Sequence, residues 1–141
     1  MNHLKRFKHH AHWILRIALA SAFVFDSILK FTNTDGFAQM WQITYAETMA
    51  IALIEYVGGL LILAGGFSRQ WLADFITRIG AAMQIPIIVG AIVLIHSGRW
   101  SFTPTQDFPT GGMQFQVTLA LMALYFVVTG NDNRSGSPVS A

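Results

Sequence analysis

The sequence predicts an all-α protein: a polytopic membrane four-helix bundle with a short interfacial helix between the first and second spans. Three observations carry that expectation. Hydrophobic residues make up 53% of the 141 and charged residues only 11%, whereas a soluble domain carries about 25% charged residues. The mean hydropathy is +0.48. Four stretches, residues 13–31, 49–67, 76–95 and 113–130, each approach the roughly 20 apolar residues that a crossing helix needs. Helices of a soluble bundle would be apolar on one stripe and charged on the other; these are apolar nearly all round.

The first span is the most polar, interrupted by Arg16, Asp26 and Lys30. A basic stretch precedes it and Ala18-Leu19-Ala20 lies within it, a pattern like a secretory signal with its cleavage site. The apolar run continues past that point, so the segment reads as a retained helix. In the connection 32–48, Phe37, Met40 and Trp41 fall at i, i+3 and i+4, the spacing of a short amphipathic helix lying at the interface. The second span holds one charge, Glu55, and residues 67–75 read as a tight turn. The third holds Arg78 near its start and Pro86, which frees a backbone carbonyl and permits a kink. Trp100, Phe102, Pro104, Pro109 and Gly111-Gly112 make the connection 97–112 irregular. The fourth span has no charge. Trp13, Trp41, Trp71 and Trp100 fall at predicted boundaries, as interfacial anchors do. One membrane domain, residues 1–130, is followed by a polar tail, 131–141, that needs no fold of its own.

Charge fixes an expected orientation and removes some functions. The pI is near 9.3, but the formal net charge is only +2, too little for a nucleic-acid footprint. Lys5, Arg6, Lys8, Arg16, Arg69, Arg78 and Arg134 fall on one side of four spans, and Lys30 and Arg99 on the other. That asymmetry places both termini in the cytoplasm. The chain has no cysteine, which excludes disulfides, thiolate chemistry and cysteine-ligated metal centres. His3, His9, His10 and His12 lie on the inner side and His96 on the outer, so no two spans bring histidines to one membrane depth for a bis-histidine haem within one protomer, and a single axial ligand to a haem or chlorin stays open. The cluster His9-His10-x-His12 reads as part of a basic arm meeting anionic lipid, and no metal is assigned.

Ionisable groups inside a membrane are costly and normally have protein partners, so they carry the chemical information here. Asp26 and Lys30, four residues apart, can form a direct ion pair. Arg16 lies toward the inner side, where its head can snorkel to the lipid headgroups. Glu55 falls near the middle of the second span and must pair with a cation or stay neutral. Gly59 and Gly66 share its helical face and allow a neighbouring helix to approach closely. Lys30 and Arg16 are its candidate cations, and Gln84 in the third span a candidate hydrogen-bond partner. Gln114, Thr118 and Tyr125 form one polar stripe on the fourth span. Asp26, Lys30, Glu55, His96 and Gln114 together outline an outward-opening polar pocket. The alternative is structural: an ion pair that fixes packing and a satisfied carboxyl acting as interhelical glue.

The second span then carries a family likeness. Glu55-x-x-Gly58-Gly59, the Leu-rich run Leu60-Leu61-Ile62-Leu63, Gly65-Gly66 and Ser68-Arg69 resemble the DoxX family of small four-helix membrane proteins. Arg16, Lys30-Phe31 and Gly111-Gly112-x-Gln114 extend the likeness over roughly residues 13–130. Two positions depart from the family pattern: Asp26, where many relatives have His or a small residue, and Gln114, where an acid is frequent. The resemblance implies an inner-membrane bundle associated with membrane oxidoreductase systems, some of them quinone-linked, with Glu55, Lys30 and Arg16 as the family-type polar positions.

On this reading the chain presents or binds a quinone near the outer leaflet. Glu55 and Asp26 would handle protons, and Lys30, His96, Gln114 and Gln84 would hold the head group. No cofactor is covalently bound, the partners are the bilayer and other membrane subunits, and electrons come from one of those subunits. A non-catalytic accessory subunit of a larger complex is the alternative. A small transporter is the third, although the chain lacks the matched discontinuous helices of repeat-built transporters.

Overall fold

The computed structural model describes residues 2–68, 70–106 and 111–131, with side chains from residue 11 onward. The side chains of Lys5, Arg6, Lys8, His3, His9 and His10, together with Arg69, Pro109, Arg134 and the tail beyond residue 131, lie outside the described residues. The elements are α1 (Asn2–Thr32), α2 (Thr34–Trp41), α3 (Tyr45–Gly65), α4 (Trp71–Ala91) and α5 (Gln114–Thr129). A π-helical turn, Ile92–His96, continues α4. No strand occurs among the described residues.

Local chemistry accounts for the helix limits. The second long helix starts at Tyr45 rather than at residue 49 because Thr44 and Glu47 form a capping box. The Glu47 amide donates to Thr44 Oγ1 at 3.2 Å, and the Thr44 amide donates to Glu47 Oε2 at 2.7 Å, which satisfies two otherwise orphaned donors. The short helix between the first two long ones is present as α2, and it ends where Gln42 adopts a left-handed conformation (φ 56°).

The long helices pack in chain order, α1 on α3, α3 on α4 and α4 on α5, while α1 and α5 meet sparsely. Glycine sets the closeness of the first two contacts. A Cβ on Gly59 would lie 2.9 Å from Val24 Cγ2 and 3.3 Å from the Ala20 carbonyl oxygen; one on Gly80 would lie 2.8 Å from the Gly58 carbonyl oxygen. Backbone therefore rests on side chain and backbone, as expected where small residues line a membrane-helix interface. Around those contacts Leu19, Phe23, Ile62, Ile88, Leu119 and Phe126 form the core.

Two segments, Tyr45–Gly65 and Trp71–His96, are long and apolar enough to cross a membrane. Helix α5 is apolar but shorter, at 16 residues, and the apolar run of α1 is broken by Arg16, Asp26 and Lys30. The outward faces of these helices carry large apolar side chains, among them Ile14, Phe25, Leu53, Leu94 and Leu121, which suit hydrocarbon as solvent.

Candidate functional site

The C-terminal end of α1 meets the middle of α3 at a charged cluster. Lys30 lies one turn beyond Asp26, and the two form an i,i+4 ion pair. The Lys30 ammonium also donates to Glu55 Oε2 at 2.7 Å. Lys30 and Glu55 are buried, whereas the Asp26 side chain is 49% exposed. Helix α2 closes over this cluster. The Lys30 ammonium stands 5.1 Å from the Trp41 ring and 5.8 Å from the Phe37 ring, within reach of cation–π attraction. The two rings stack edge to face with centroids 5.0 Å apart. Aromatic faces and carboxylates together replace the water that an ammonium loses on burial.

The cluster forms one wall of a cavity of about 450 Å³. Most of the lining is apolar and comes from α1, α3, α4, the π turn and α5. Phe25 of α1 and Phe115 of α5 line the cavity and are 65% and 44% exposed. They mark where it approaches the outer surface along the sparsely packed α1–α5 side.

His96 and Gln116 add a second polar pair to the lining. The π turn brings His96 inward, to 4% exposure, while Leu94 two residues earlier is 79% exposed. His96 Nδ1 lies 2.9 Å from the Gly111 carbonyl oxygen, and His96 Nε2 lies 3.4 Å from Gln116 Nε2. Single π-type turns of this kind re-aim side chains and recur at functional sites.

Of the residues singled out from sequence, Asp26, Lys30, Glu55 and His96 line this one cavity. Gln114 does not; Gln116 takes that place. The buried face of α5 is Leu119, Ala123 and Phe126, and Gln116 precedes Leu119 by three residues on that face. The stripe Gln114, Thr118 and Tyr125 points away from the core instead: Thr118 is exposed, Tyr125 is 39% exposed, and the Thr118 hydroxyl donates to the Gln114 carbonyl at 3.0 Å. The 116/119/123/126 spacing was the available signal for Gln116. Gln84 does not reach the Glu55 carboxylate. Its Nε2 donates to the Glu55 backbone carbonyl at 3.2 Å, across the close α3–α4 contact. Helix α2 also differs from a simple interfacial helix: Met40 is 57% exposed, but Phe37 and Trp41 turn inward to line the cavity.

The other end of the bundle holds a separate polar cluster. Arg16 does not snorkel; it is 1% exposed. Its guanidinium donates to the Ile62 carbonyl at 2.5 Å, to Thr77 Oγ1 at 3.0 Å and to Asn131 Oδ1, and it stacks 4.8 Å above the Phe126 ring. Asn131 is therefore no loose start of a tail. Its amide nitrogen Nδ2 donates to the carbonyls of Gly65 (2.6 Å) and Ser68 (2.9 Å), and its backbone N–H donates to Asp74 Oδ1 (2.7 Å). Asp74 in turn accepts from Arg78 at 2.8 Å. Asn131 had no sequence signal beyond its place after Gly130, whose positive φ of 55° turns the chain back onto the bundle.

Set against models of known protein families, residues 11–97 match the DoxX model, from α1 through the π turn. No curated protein and no solved structure matches the chain.

Proposed function

Because the chain belongs to the DoxX family of membrane proteins, we propose that it is a multi-pass membrane subunit that binds the head group of a lipid-soluble quinone. In this reading the four long helices cross a bacterial-type inner membrane with both termini cytoplasmic. The cavity then lies toward the outer leaflet, and partner subunits supply the electrons.

The observation that supports it is the placement of the Asp26–Lys30–Glu55 cluster on the wall of a mostly apolar cavity that approaches the surface between Phe25 and Phe115. A quinone needs an apolar slot for its ring and a few fixed polar groups for its oxygens. Lys30 offers three N–H donors; two go to Asp26 and Glu55, and the third is available to a ligand oxygen. Asp26 and Glu55 hold the ammonium in place and are the groups that would exchange protons with that oxygen. An isoprenoid tail would leave along the α1–α5 side toward lipid.

The test is purification in mild detergent followed by lipid extraction and mass spectrometry. A stoichiometric quinone should accompany the unaltered protein and be lost from Lys30→Ala and Glu55→Gln. Recovery without quinone, in a larger complex whose turnover survives both substitutions, would make the chain a space-filling accessory subunit instead.

A further inference from the structure

The cavity lining holds two polar groups that differ in what they offer a ligand. In one, Lys30 presents N–H groups and no acceptor of its own, held between the carboxylates of Asp26 and Glu55. Beside it, the indole Nε1–H of Trp41 is a buried donor with no hydrogen-bond partner among the described residues. The other holds His96, whose ring is oriented by a contact that admits one tautomer of the neutral imidazole. The Gly111 carbonyl can only accept, so at 2.9 Å it requires the ring proton on Nδ1. In the neutral ring Nε2 is left with its lone pair. The Gln116 amide nitrogen faces that lone pair at 3.4 Å, long enough for the contact to be weak and replaceable.

The carbonyl that dictates this tautomer is itself fixed. Gly111 has φ +77°, and a Cβ there would meet the Phe102 carbonyl oxygen at 2.9 Å, so no other residue fits without strain. The following amides are tied to the loop: Gly112 N–H donates to the Ser101 carbonyl at 3.1 Å and Met113 N–H to the Arg99 carbonyl at 2.9 Å. His96 is thus held as an acceptor by a hydrogen-bonded turn, in a cavity that the donors Lys30 and Trp41 also line.

Resting on the quinone-site reading above, we infer that the cavity discriminates between redox forms of its ligand and binds the hydroquinone in preference to the quinone. A hydroxyl both donates and accepts, so a dihydroxy ring can accept from Lys30 or Trp41 at one end and donate to His96 Nε2 at the other. A dione has acceptors at both ends. At the His96 end it sets lone pair against lone pair and forgoes the hydrogen bond, leaving a buried polar group unmatched. Gln116 takes the role of a positioning residue, shielding Nε2 when the cavity is empty.

The experiment compares a decyl-substituted benzoquinone with its hydroquinone, each titrated anaerobically into the purified protein by calorimetry. The unaltered protein should bind the hydroquinone about tenfold more tightly, the scale of one hydrogen bond made or missed. In His96→Gln the side-chain amide can turn either its oxygen or its N–H toward the ligand, and the two affinities should converge. Gln116→Leu leaves Nε2 in place and should keep the preference. Equal binding of both forms by the unaltered protein, or tighter binding of the quinone, overturns the discrimination while leaving a quinone site standing. A preference that persists in His96→Gln removes His96 from the explanation. Binding of neither form overturns the quinone-site reading itself.

Discussion

Lys30 Nζ stands 2.7 Å from Glu55 Oε2 with both side chains buried, so the end of α1 and the middle of α3 are joined by a charge pair shielded from solvent. Breaking such a pair leaves one charge without a partner, which is more damaging than never having buried it. Lys30→Ala should lower stability by about 3–5 kcal/mol. Glu55→Gln, which keeps the shape and one acceptor, should lower it by about 1–3 kcal/mol. Reversible unfolding in mixed detergent micelles measures both; an unchanged midpoint for Lys30→Ala would contradict the coupling.

Gly90 lines the cavity, and a Cβ there would meet nothing within 4 Å. Gly90→Leu should therefore fold normally, with an unfolding midpoint equal to or above that of the parent. Filling the cavity should displace any co-purifying quinone. Quinone retained at full stoichiometry would place its site elsewhere.

Gly80→Ala sets two effects against each other. Alanine favours helix over glycine by about 1 kcal/mol. Its methyl would sit 2.8 Å from both the Gly58 carbonyl oxygen and Leu61 Cβ, and forcing two backbones apart typically costs about 1–3 kcal/mol. The second effect should win, because a backbone carbonyl cannot swing aside. A fall in the thermal midpoint is the expected result; a rise would mean that α3 and α4 separate easily.

Asn131→Ala removes the side chain that joins Arg16, Thr77, Gly65 and Ser68. Leaving those groups unmatched should destabilise the fold by about 1–3 kcal/mol. Hydrogen exchange should show the last turn of α5 opening ahead of the rest. Uniform exchange along α5, at the parent rate, would show that Asn131 anchors nothing.

The absence of cysteine makes the proposed orientation directly testable. A single cysteine at Asp35 in α2 should react with a membrane-impermeant maleimide in intact cells, and one at Ser68 should react only after lysis. The reverse pattern would invert the topology.

Much of the site was legible because a charge in an apolar run has few places to go. Asp26, Lys30 and Glu55 interrupt long hydrophobic stretches, and helical spacing alone pairs the first two. The Gly59–Gly66 face was legible for the same reason, since a small-residue face beside a carboxylate implies a neighbouring helix; Gly59 meets α1 at Ala20 and Val24, and Gly66 meets it at Trp13 and Arg16. Gln114 and Gln116 could not be separated by composition. Two residues apart on a helix, they point about 200° apart, and only the face on which α5 packs chooses between them. Arg16 was misjudged because a cation near a membrane boundary can snorkel outward or turn inward, and its acceptors lie 46, 61 and 115 residues away along the chain.

By itself the sequence determined the solvent and the currency of the fold: scarce charge and long apolar runs demand helices whose backbone groups are satisfied internally, and the few buried ions demand partners. Tertiary structure decided which partners. It set the tautomer of His96 through a glycine carbonyl fifteen residues away, turned Phe37 and Trp41 over Lys30, and made Asn131 the clasp of the opposite end. Those choices depend on helix rotation and loop closure, and both are fixed by packing between elements distant in the chain, where local periodicity carries no information.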